Sequence, residues 1–309
     1  MKVNFGICTN FTIKRWSDPD DWARIIKNDL GLDLVQLSFD QFDPRGNSNY
    51  VKSYCDKVMT ACNRHGINIH STFTGLSIYS HNLLYHPLLE GRLDGLDWFE
   101  SAFKMTSYYG VTATGGPFGG MDVNTFQDTS KRKYYETWAE EALVNLLQLA
   151  GNKGIKDFYW EPTPVRREGP VTVKETKELM DRINSLTDEN SANFSLCLDT
   201  GHATSPMAWD TDRNPYHWIE KLGRYAPVIH LQQSDGVLDR HWPFTPEYNK
   251  NGIIDANMLI DAIEKSSLDE TTLLIEVGHP FEENDDKVLD EVKQSVYYWR
   301  EALIKREII

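Results

Sequence analysis

Short runs of apolar and β-branched residues recur along the chain, and each is followed by a longer segment in which apolar positions repeat with helical spacing. Successive runs begin 31 to 45 residues apart, a length that accommodates one strand, one helix and two loops. We predict eight strands, at Val3–Cys8, Leu34–Phe39, Ile67–Phe73, Val111–Gly115, Lys156–Glu161, Phe194–Asp199, Val228–Gln232 and Thr272–Val277.

The segments between the runs carry signals that begin and end helices. Asp18, in front of Pro19, is typical of a helix start, and glycines stand where two later helices are expected to end. The clearest helical segments are Val51–His65, Tyr134–Lys153, Val173–Leu186 and Lys287–Lys305. Eight alternating strand–helix units predict an α/β fold, a (β/α)8 TIM barrel that forms a single domain over residues 1–309. A doubly wound sheet is the alternative, but no Gly-x-Gly-x-x-Gly follows the first strand, which disfavours its dinucleotide-binding version.

The charge balance changes which partners are expected. The chain has 46 Asp and Glu against 32 Lys and Arg, a formal net charge of −14. Proteins that hold nucleic acid or anionic membranes usually present a basic surface, because neutralising phosphates supplies much of the affinity. The composition therefore argues against a nucleic-acid or membrane partner, although it leaves a local basic groove open.

Two further features favour a cytoplasmic protein. The first residues contain one basic residue and only a short apolar run, and no segment approaches the ~18 uninterrupted apolar residues of a membrane helix. The four cysteines, Cys8, Cys55, Cys62 and Cys197, lack Cys-x-x-Cys spacing. We expect them to be reduced and mostly buried, in neither disulfides nor a zinc knot.

Polar side chains stand at the carboxyl ends of the last four predicted strands. Glu161, Asp199, His230 and Glu276 follow one another at intervals of one barrel unit. Each alone has an ordinary structural explanation, such as a strand-end charge bonded to a loop or a core histidine. A barrel would bring the three carboxylates together in one pocket, however, which is costly unless a cation neutralises them. The set predicts one divalent metal ion, and Mn, Mg, Co and Zn all suit it.

With these four ligands, the sequence resembles the xylose-isomerase-like TIM barrels, a group that includes ketose 3-epimerases, inosose dehydratases and the endonuclease IV class of abasic-site nucleases. The resemblance covers almost the whole chain, and Leu-Asp-x-Gly-His at residues 198–202 is its most specific local motif. The stretches that begin at Ile229 and His241 look most like the tetrulose-phosphate racemases, or 3-epimerases, of erythritol catabolism.

This resemblance implies an isomerase that epimerises a short ketose phosphate at C3, with a tetrulose 4-phosphate as the expected substrate. The metal would stabilise an enediolate, while Glu161 and Glu276 would act as bases on opposite faces of C3. No nicotinamide or flavin is expected. Another sugar or an aldose–ketose isomerisation is left open, because both reactions pass through an enediol.

Histidines and one arginine near the predicted strand ends are candidates for substrate binding. His202, three residues after Asp199, can reach the pocket rim, and His70 is expected at the end of the third strand. By resemblance, Arg240 and His241 lie in the loop from which ketose 3-epimerases contact their substrate near C1 and C2. For His202, a purely loop-fixing role is an equal alternative.

Two more arginines, Arg166 and Arg167, follow the fifth strand closely enough to grip a phosphate. Pairing with Glu168 would explain them equally well. The ketose 3-epimerases carry an arginine and a glutamate four and six residues after the first metal ligand. Here the arginines stand at five and six and the glutamate at seven, so the roles do not transfer directly.

Two other functions stay open. Asp239-Arg240-His241 reproduces the Asp-x-His of a third zinc site in endonuclease IV, and most other ligands of that family have counterparts here. The fourth strand lacks the expected histidine, however, and the charge of −14 opposes capture of DNA. The other alternative is a metal-free sugar-phosphate binding module, which would not need Glu161 and Glu276 as a pair of bases.

Three loops are expected around the pocket. Thr74–Leu89 and Gln233–Ile254 are long enough to cover a substrate. The glycine-rich loop at 115–120 could let backbone amides approach a phosphate, although a flexible turn is the other explanation. The sequence leaves the oligomeric state open, a homo-oligomer included.

Overall fold

The architecture is a closed barrel of eight parallel strands, seen in a computed structural model that describes residues 2–309. The strands pair in chain order, and the eighth pairs with the first. They are Lys2–Cys8 (β1), Leu34–Ser38 (β2), Asn68–Phe73 (β3), Ala113–Gly115 (β4), Asp157–Trp160 (β5), Asn193–Asp199 (β6), Val228–Leu231 (β7) and Glu270–Ile275 (β8). Each predicted strand is present, so the predicted (β/α)8 barrel is confirmed.

Helices connect the strands. They are Pro19–Arg24 (α1), Ser48–His65 (α2), Leu76–Tyr79 (α3), Leu89–Tyr108 (α4), Val123–Gln127 (α5), Thr129–Asn152 (α6), Val173–Leu186 (α7), Pro215–Leu222 (α8), Pro246–Asn249 (α9), Ala256–Lys265 (α10) and Asp285–Lys305 (α11). A π-helical turn, Ile25–Asp29, extends α1. Within residues 2–309, no helix combines the length and apolar character that crossing a bilayer requires.

The helix boundaries follow from local capping. The carboxylate of Asp18 accepts the Asp20 N–H at the start of α1, as its position before a proline predicts. Asn47 caps α2 in the same way, so this helix begins three residues before its first predicted residue. Gly66, at φ 67°, ends α2 in the left-handed conformation that glycine adopts without strain.

The core has two layers. Large side chains such as Trp22, Phe99 and Trp299 are fully buried among the helices and the outer faces of the strands. A smaller inner cluster, contributed by seven strands, fills the barrel beneath the strand ends: Cys8, Phe73, Ala113, Tyr159, Cys197, Val228 and Leu274. All four cysteines are free and buried, and their burial agrees with the expectation.

Both long loops at the carboxyl ends of the strands contain secondary structure. The first, Thr74–Leu89, includes α3 and a 3-10 turn at Leu83–Tyr85. The second, Gln233–Ile254, includes α9 and an antiparallel bridge between Gln233 and Trp242. Internal backbone pairing therefore gives each loop a defined shape above the barrel.

The glycine-rich loop packs tightly against the first of these loops. A methyl group on Gly116, at φ 138°, would lie 1.9 Å from Thr74 Oγ1. One on Gly119, at φ 98°, would lie 2.1 Å from the Asn82 carbonyl oxygen. The glycines are thus required for positive φ angles and a close approach of two loops, a role that neither sequence explanation anticipated.

Candidate metal centre

Four polar side chains meet at the carboxyl ends of β5 to β8. Glu161 follows β5, Asp199 ends β6, His230 lies on β7 and Glu276 follows β8. The register pairs Asp199 with His230 on neighbouring strands. One ligand atom from each of the four residues lies within 4.8 Å of the others. The barrel therefore brings the predicted ligand set to one point.

The imidazole of His230 forms the centre of this cluster. Its Nδ1 lies 3.0 Å from Glu161 Oε1 and 2.9 Å from Glu276 Oε2. His230 is fully buried, and Glu161 is 7% exposed. The ring of Phe73 packs edge-on against the imidazole, with centroids 4.8 Å apart. Electrostatic interactions in this water-poor environment are stronger than at the surface.

Burial and charge oppose each other in setting the protonation of the cluster. Burial raises the pKa of Asp199 to about 7, although His202 and His241 act in the opposite direction. Burial would also raise the pKa of Glu276, but the charge of His230 and its hydrogen bond hold that pKa at about 2. Burial disfavours the charged form of His230. The Glu276 carboxylate is nevertheless among the groups that raise the pKa of His230 well above its usual value. The carboxylates thus attract positive charge to this point.

One oxygen of the cluster lacks a partner. Asp199 Oδ1 accepts hydrogen bonds from the Gly201 N–H at 2.6 Å and from Gln232 Nε2 at 2.8 Å. Its other oxygen, Oδ2, is buried without a hydrogen bond. An unsatisfied buried carboxylate oxygen is costly, and a cation would satisfy it. Three carboxylates and one imidazole therefore fit a divalent metal ion.

A second polar cluster lies beside the first. Ligand atoms of His202, Asp239 and His241 lie within 4.8 Å of one another. Asp239 Oδ2 is 3.4 Å from His202 Nε2, and Oδ1 is 3.3 Å from His241 Nε2. Although burial opposes it, the Asp239 contact raises the pKa of His241 to about 10. The two histidines and their shared carboxylate form a charged group beside the cluster of Glu161, Asp199, His230 and Glu276.

Gln232 connects the two clusters. Its Nε2 donates to Asp199 Oδ1 at 2.8 Å and to Asp239 Oδ1 at 2.7 Å. Its Oε1 accepts the backbone N–H of His241. The side chain is fully buried. Sequence reasoning did not single out Gln232, although a glutamine two residues after a predicted ligand was a usable signal.

The structure places His70 away from its expected position. Strand β3 continues to Phe73, so His70 lies three residues before the strand end and the predicted location is wrong. Its ring stacks on Tyr159, with centroids 5.9 Å apart, and its Nδ1 lies 2.9 Å from Ser71 Oγ. Burial, followed by the charge of His230, lowers the pKa of His70 to about 4.

The predicted phosphate-binding arginines have other partners. Arg166 Nη2 donates to Glu175 Oε1 on α7 at 2.7 Å, and Arg167 Nη1 donates to the Met121 carbonyl at 2.6 Å. These contacts connect the loop after β5 to α7 and to the segment before α5. Neither arginine forms the pair with Glu168 that the sequence offered as an alternative.

Arg240 is likewise engaged outside the two clusters. Its Nε donates to Asp235 Oδ2 at 2.9 Å, and its guanidinium lies 5.2 Å from the centre of the Trp242 ring. Arg240 and Asp235 lie in the same loop, so this ion pair stabilises the loop itself. His241, the next residue, adopts φ 49° and contributes its side chain to the second cluster.

Glu168 joins the two sides of the pocket. Its Oε2 accepts from Thr163 Oγ1 at 2.6 Å and from Tyr79 Oη, on α3, at 3.0 Å. Burial raises the pKa of Glu168. This contact connects the loop after β3 to the loop after β5, and nothing in the local sequence signalled it beyond the charge itself.

Comparisons with known proteins agree with this geometry. The family model described as xylose isomerase-like TIM barrel matches residues 24–301. The chain is 26% identical over 304 residues to D-erythrulose 1-phosphate 3-epimerase of Brucella abortus (strain 2308), covering 97% of this chain and 96% of that protein.

Solved structures share the architecture. A candidate xylose isomerase from Rhodospirillum rubrum superposes with a TM-score of 0.89 at 30% identity, over 97% of this chain and 99% of that one. D-psicose 3-epimerase from Clostridium cellulolyticum H10, crystallised with D-tagatose, gives a TM-score of 0.70 at 16% identity, over 97% and 99% of the two chains. The second likeness establishes the fold alone.

Proposed function

The chain belongs to the xylose isomerase-like TIM barrel family, and on that premise we propose that it is a metal-dependent isomerase that epimerises a tetrulose phosphate at C3. One observation carries the proposal. Glu161 and Glu276 converge on the His230 imidazole in a cluster that also contains the unpartnered Asp199 oxygen. Such a cluster offers a metal site and two bases at the same point.

The name of the relative supports a different position for the substrate phosphate. The sequence predicted a tetrulose 4-phosphate, whereas the relative from Brucella abortus acts on a tetrulose 1-phosphate. We therefore place the phosphate on C1, next to the carbonyl carbon. A tetrulose has one stereocentre, C3, so inversion of that carbon interconverts mirror-image substrates.

The four clustered residues would hold one divalent ion, which would polarise the substrate carbonyl and lower the energy of an enediolate. One glutamate, as a carboxylate, would accept the proton from C3, and the C3–H electron pair would enter the enediolate. The other glutamate, as a carboxylic acid, would return a proton to the opposite face of C3. The neighbouring His230 holds the pKa of Glu276 at about 2 despite burial, so at neutral pH this residue is the carboxylate that the proton acceptor has to be.

The second cluster supports binding of an anionic substrate. His202 and His241 flank Asp239 beside the metal cluster and carry positive charge, so they are the proposed contacts for substrate oxygens. His70, Arg166, Arg167 and Arg240 would have to leave their observed partners to take part. We therefore assign substrate contact first to the two rim histidines.

The decisive experiment follows hydrogen exchange in deuterated water. Metal-loaded protein is incubated with D-erythrulose 1-phosphate, and NMR and polarimetry report deuterium at C3 and loss of optical rotation. We expect both signals, and both should disappear after chelation. The 4-phosphate and unphosphorylated erythrulose serve as comparison substrates. Absence of exchange with all three sugars would reject the assignment.

Substitution of either base tests the two-base scheme. Glu161→Gln and Glu276→Gln each keep the shape of the side chain but remove its proton-transfer capacity, so each should stop racemisation. A loss of 10²–10⁴-fold in kcat is typical when a general acid or base is removed. Glu141→Gln, on the exposed face of α6, is the matched control. Normal racemisation by either pocket variant would contradict the scheme.

The second cluster also keeps one rival function open. His202, Asp239 and His241 could hold an additional metal ion, as a phosphodiesterase acting on abasic DNA would require. The net charge of −14 opposes it, because DNA binding gains affinity from basic surfaces. Incision of an abasic duplex by metal-loaded protein would favour this rival, and an intact duplex would remove it.

A further inference from the structure

A buried glutamine contacts the outer nitrogen of the central histidine. While His230 Nδ1 faces the two glutamates, its Nε2 lies 2.8 Å from Gln36 Oε1 on β2. An amide oxygen only accepts hydrogen bonds, so the proton of this contact belongs to Nε2. Nδ1 faces the carboxylates, and its lone pair would be available to a metal ion that displaces the proton from this nitrogen.

Other buried groups set the orientation of the Gln36 amide. Its Nε2 donates to Ser71 Oγ at 2.9 Å, and its Oε1 also accepts from the Cys8 thiol at 3.3 Å. Gln36 is 1% exposed and Ser71 is fully buried. Rotating the amide would turn its N–H groups toward the thiol and imidazole donors. The observed orientation satisfies all four groups.

An irregularity in the sheet creates this arrangement. The pairing of β2 with β3 shifts register between Val35 and Gln36, which oppose Ile69 and Ser71. His70 is the extra residue. Bulges next to functional sites often redirect a side chain, and this one places Ser71 directly beside Gln36. A polar side chain in the middle of an apolar strand is thereby held in a specific network.

We propose that Gln36 is a positioning residue that fixes the tautomer and ring orientation of His230 so that Nδ1 is available to a metal ion. The inference rests on the proposed function, because it concerns the same metal centre. Groups that hold the second nitrogen of a metal-binding histidine typically change metal affinity 10–100-fold when they are removed. Neither Gln36 nor Ser71 touches the substrate in this scheme.

Metal affinity provides the first test. Metal-free wild-type protein and variants are titrated with Mn²⁺, and bound ion is measured by electron paramagnetic resonance. Gln36→Met preserves side-chain size but removes the acceptor, so we expect its dissociation constant to rise about 10–100-fold. Gln36→Glu restores an acceptor oxygen and should recover wild-type affinity or exceed it. Ser71→Ala, which removes the hydrogen bond that orients the Gln36 amide, should give a smaller rise. Gln148→Met, at an exposed position of α6, is the control.

Tautomer measurement separates positioning from a merely structural role. With Zn²⁺ bound, ¹⁵N NMR of the imidazole should show His230 protonated at Nε2 and ligated through Nδ1 in the wild type. The Gln36→Met variant should lose the single Nε2–H form, and Gln36→Glu should retain it. Thermal unfolding of the metal-free variants establishes that each is folded.

The possible failures are distinguishable. If the wild type binds neither Mn²⁺ nor Zn²⁺, the proposed metal centre fails and the inference fails with it. If the wild type binds metal and Gln36→Met binds it equally well, only the inference is overturned. The inference is also overturned if a folded Gln36→Glu protein binds metal as weakly as Gln36→Met.

Discussion

At the scale of single residues, His70 shows how tertiary burial sets a protonation state that sequence does not reveal. The imidazole stacks on Tyr159, one of the side chains that fill the barrel. Burial disfavours its charged form, and the nearby charge of His230 adds to the effect, so the pKa falls to about 4. His70 is therefore neutral in the folded protein at neutral pH.

Acid should destabilise the protein through this residue. Between pH 6.5 and about 4, His70 binds a proton in the unfolded chain but not in the folded chain. The free energy of unfolding therefore falls as the pH drops through this range. When the pH drops from 7 to 4.5, we expect the free energy of unfolding to fall less for His70→Gln than for the wild type. The two decreases should differ by at most about 3 kcal/mol. Urea unfolding at several pH values measures the difference, with the exposed His81→Gln as control. Parallel pH profiles would contradict the prediction.

At the scale of elements, α3 depends on a carboxylate from a neighbouring loop. Asp40, which follows β2, accepts the backbone N–H of Leu76 at 2.7 Å and of Ser77 at 2.8 Å. A four-residue helix forms too few internal hydrogen bonds to persist alone. Asp40 thereby holds the segment that carries Tyr79, whose hydroxyl reaches Glu168 across the pocket.

Removal of this anchor should loosen the loop without unfolding the barrel. Loss of a helix-capping side chain costs about 0.5–2 kcal/mol, so Asp40→Ala should speed amide hydrogen exchange in residues 76–79 by roughly 2- to 30-fold. Mass spectrometry of exchanged peptides measures this effect. Asp43→Ala, which removes a turn hydrogen bond in the same loop after β2, is the control. Equal exchange rates in the wild type and Asp40→Ala would show that other contacts hold α3.

At the scale of the whole molecule, the acidic cluster opposes folding unless its charge is neutralised. Three of the 46 acidic residues lie at one buried point in a chain of net charge −14. A metal ion that binds only the folded barrel would stabilise it by mass action. Stability and metal occupancy would therefore be coupled through the four strand ends.

Chelation should lower the melting temperature. At an ion concentration of ~100 times the dissociation constant, binding contributes about 2.7 kcal/mol, equivalent to a shift on the order of 5 °C for a chain of this size. Calorimetry with Mn²⁺ and with EDTA measures the shift. Asp199→Asn should reduce it, because the unpartnered oxygen is lost as a charged ligand, whereas the exposed Asp97→Asn should not. An identical shift in both variants would exclude Asp199 as a ligand.

Much of the site was predictable because its residues lie at strand ends, which a local sequence pattern reveals, and a barrel brings strand ends together. A strand ends where its apolar run ends, so the positions of Glu161, Asp199 and Glu276 could be identified residue by residue. Parallel pairing then brings these ends together. The predicted third strand already reached Phe73, so assigning His70 to its end was wrong on the sequence alone. What no local pattern encodes is the register shift that makes His70 an extra residue where β3 pairs with β2.

The sequence alone determined the strand–helix alternation and the chemistry available at the strand ends, because both depend on neighbours a few positions apart. Only the tertiary structure decided which polar groups form hydrogen bonds with one another. Gln36 is 194 residues from His230 and 35 from Ser71, yet the three meet inside the barrel. Such contacts depend on strand register and on how loops pack above the sheet, and these are properties of the closed barrel.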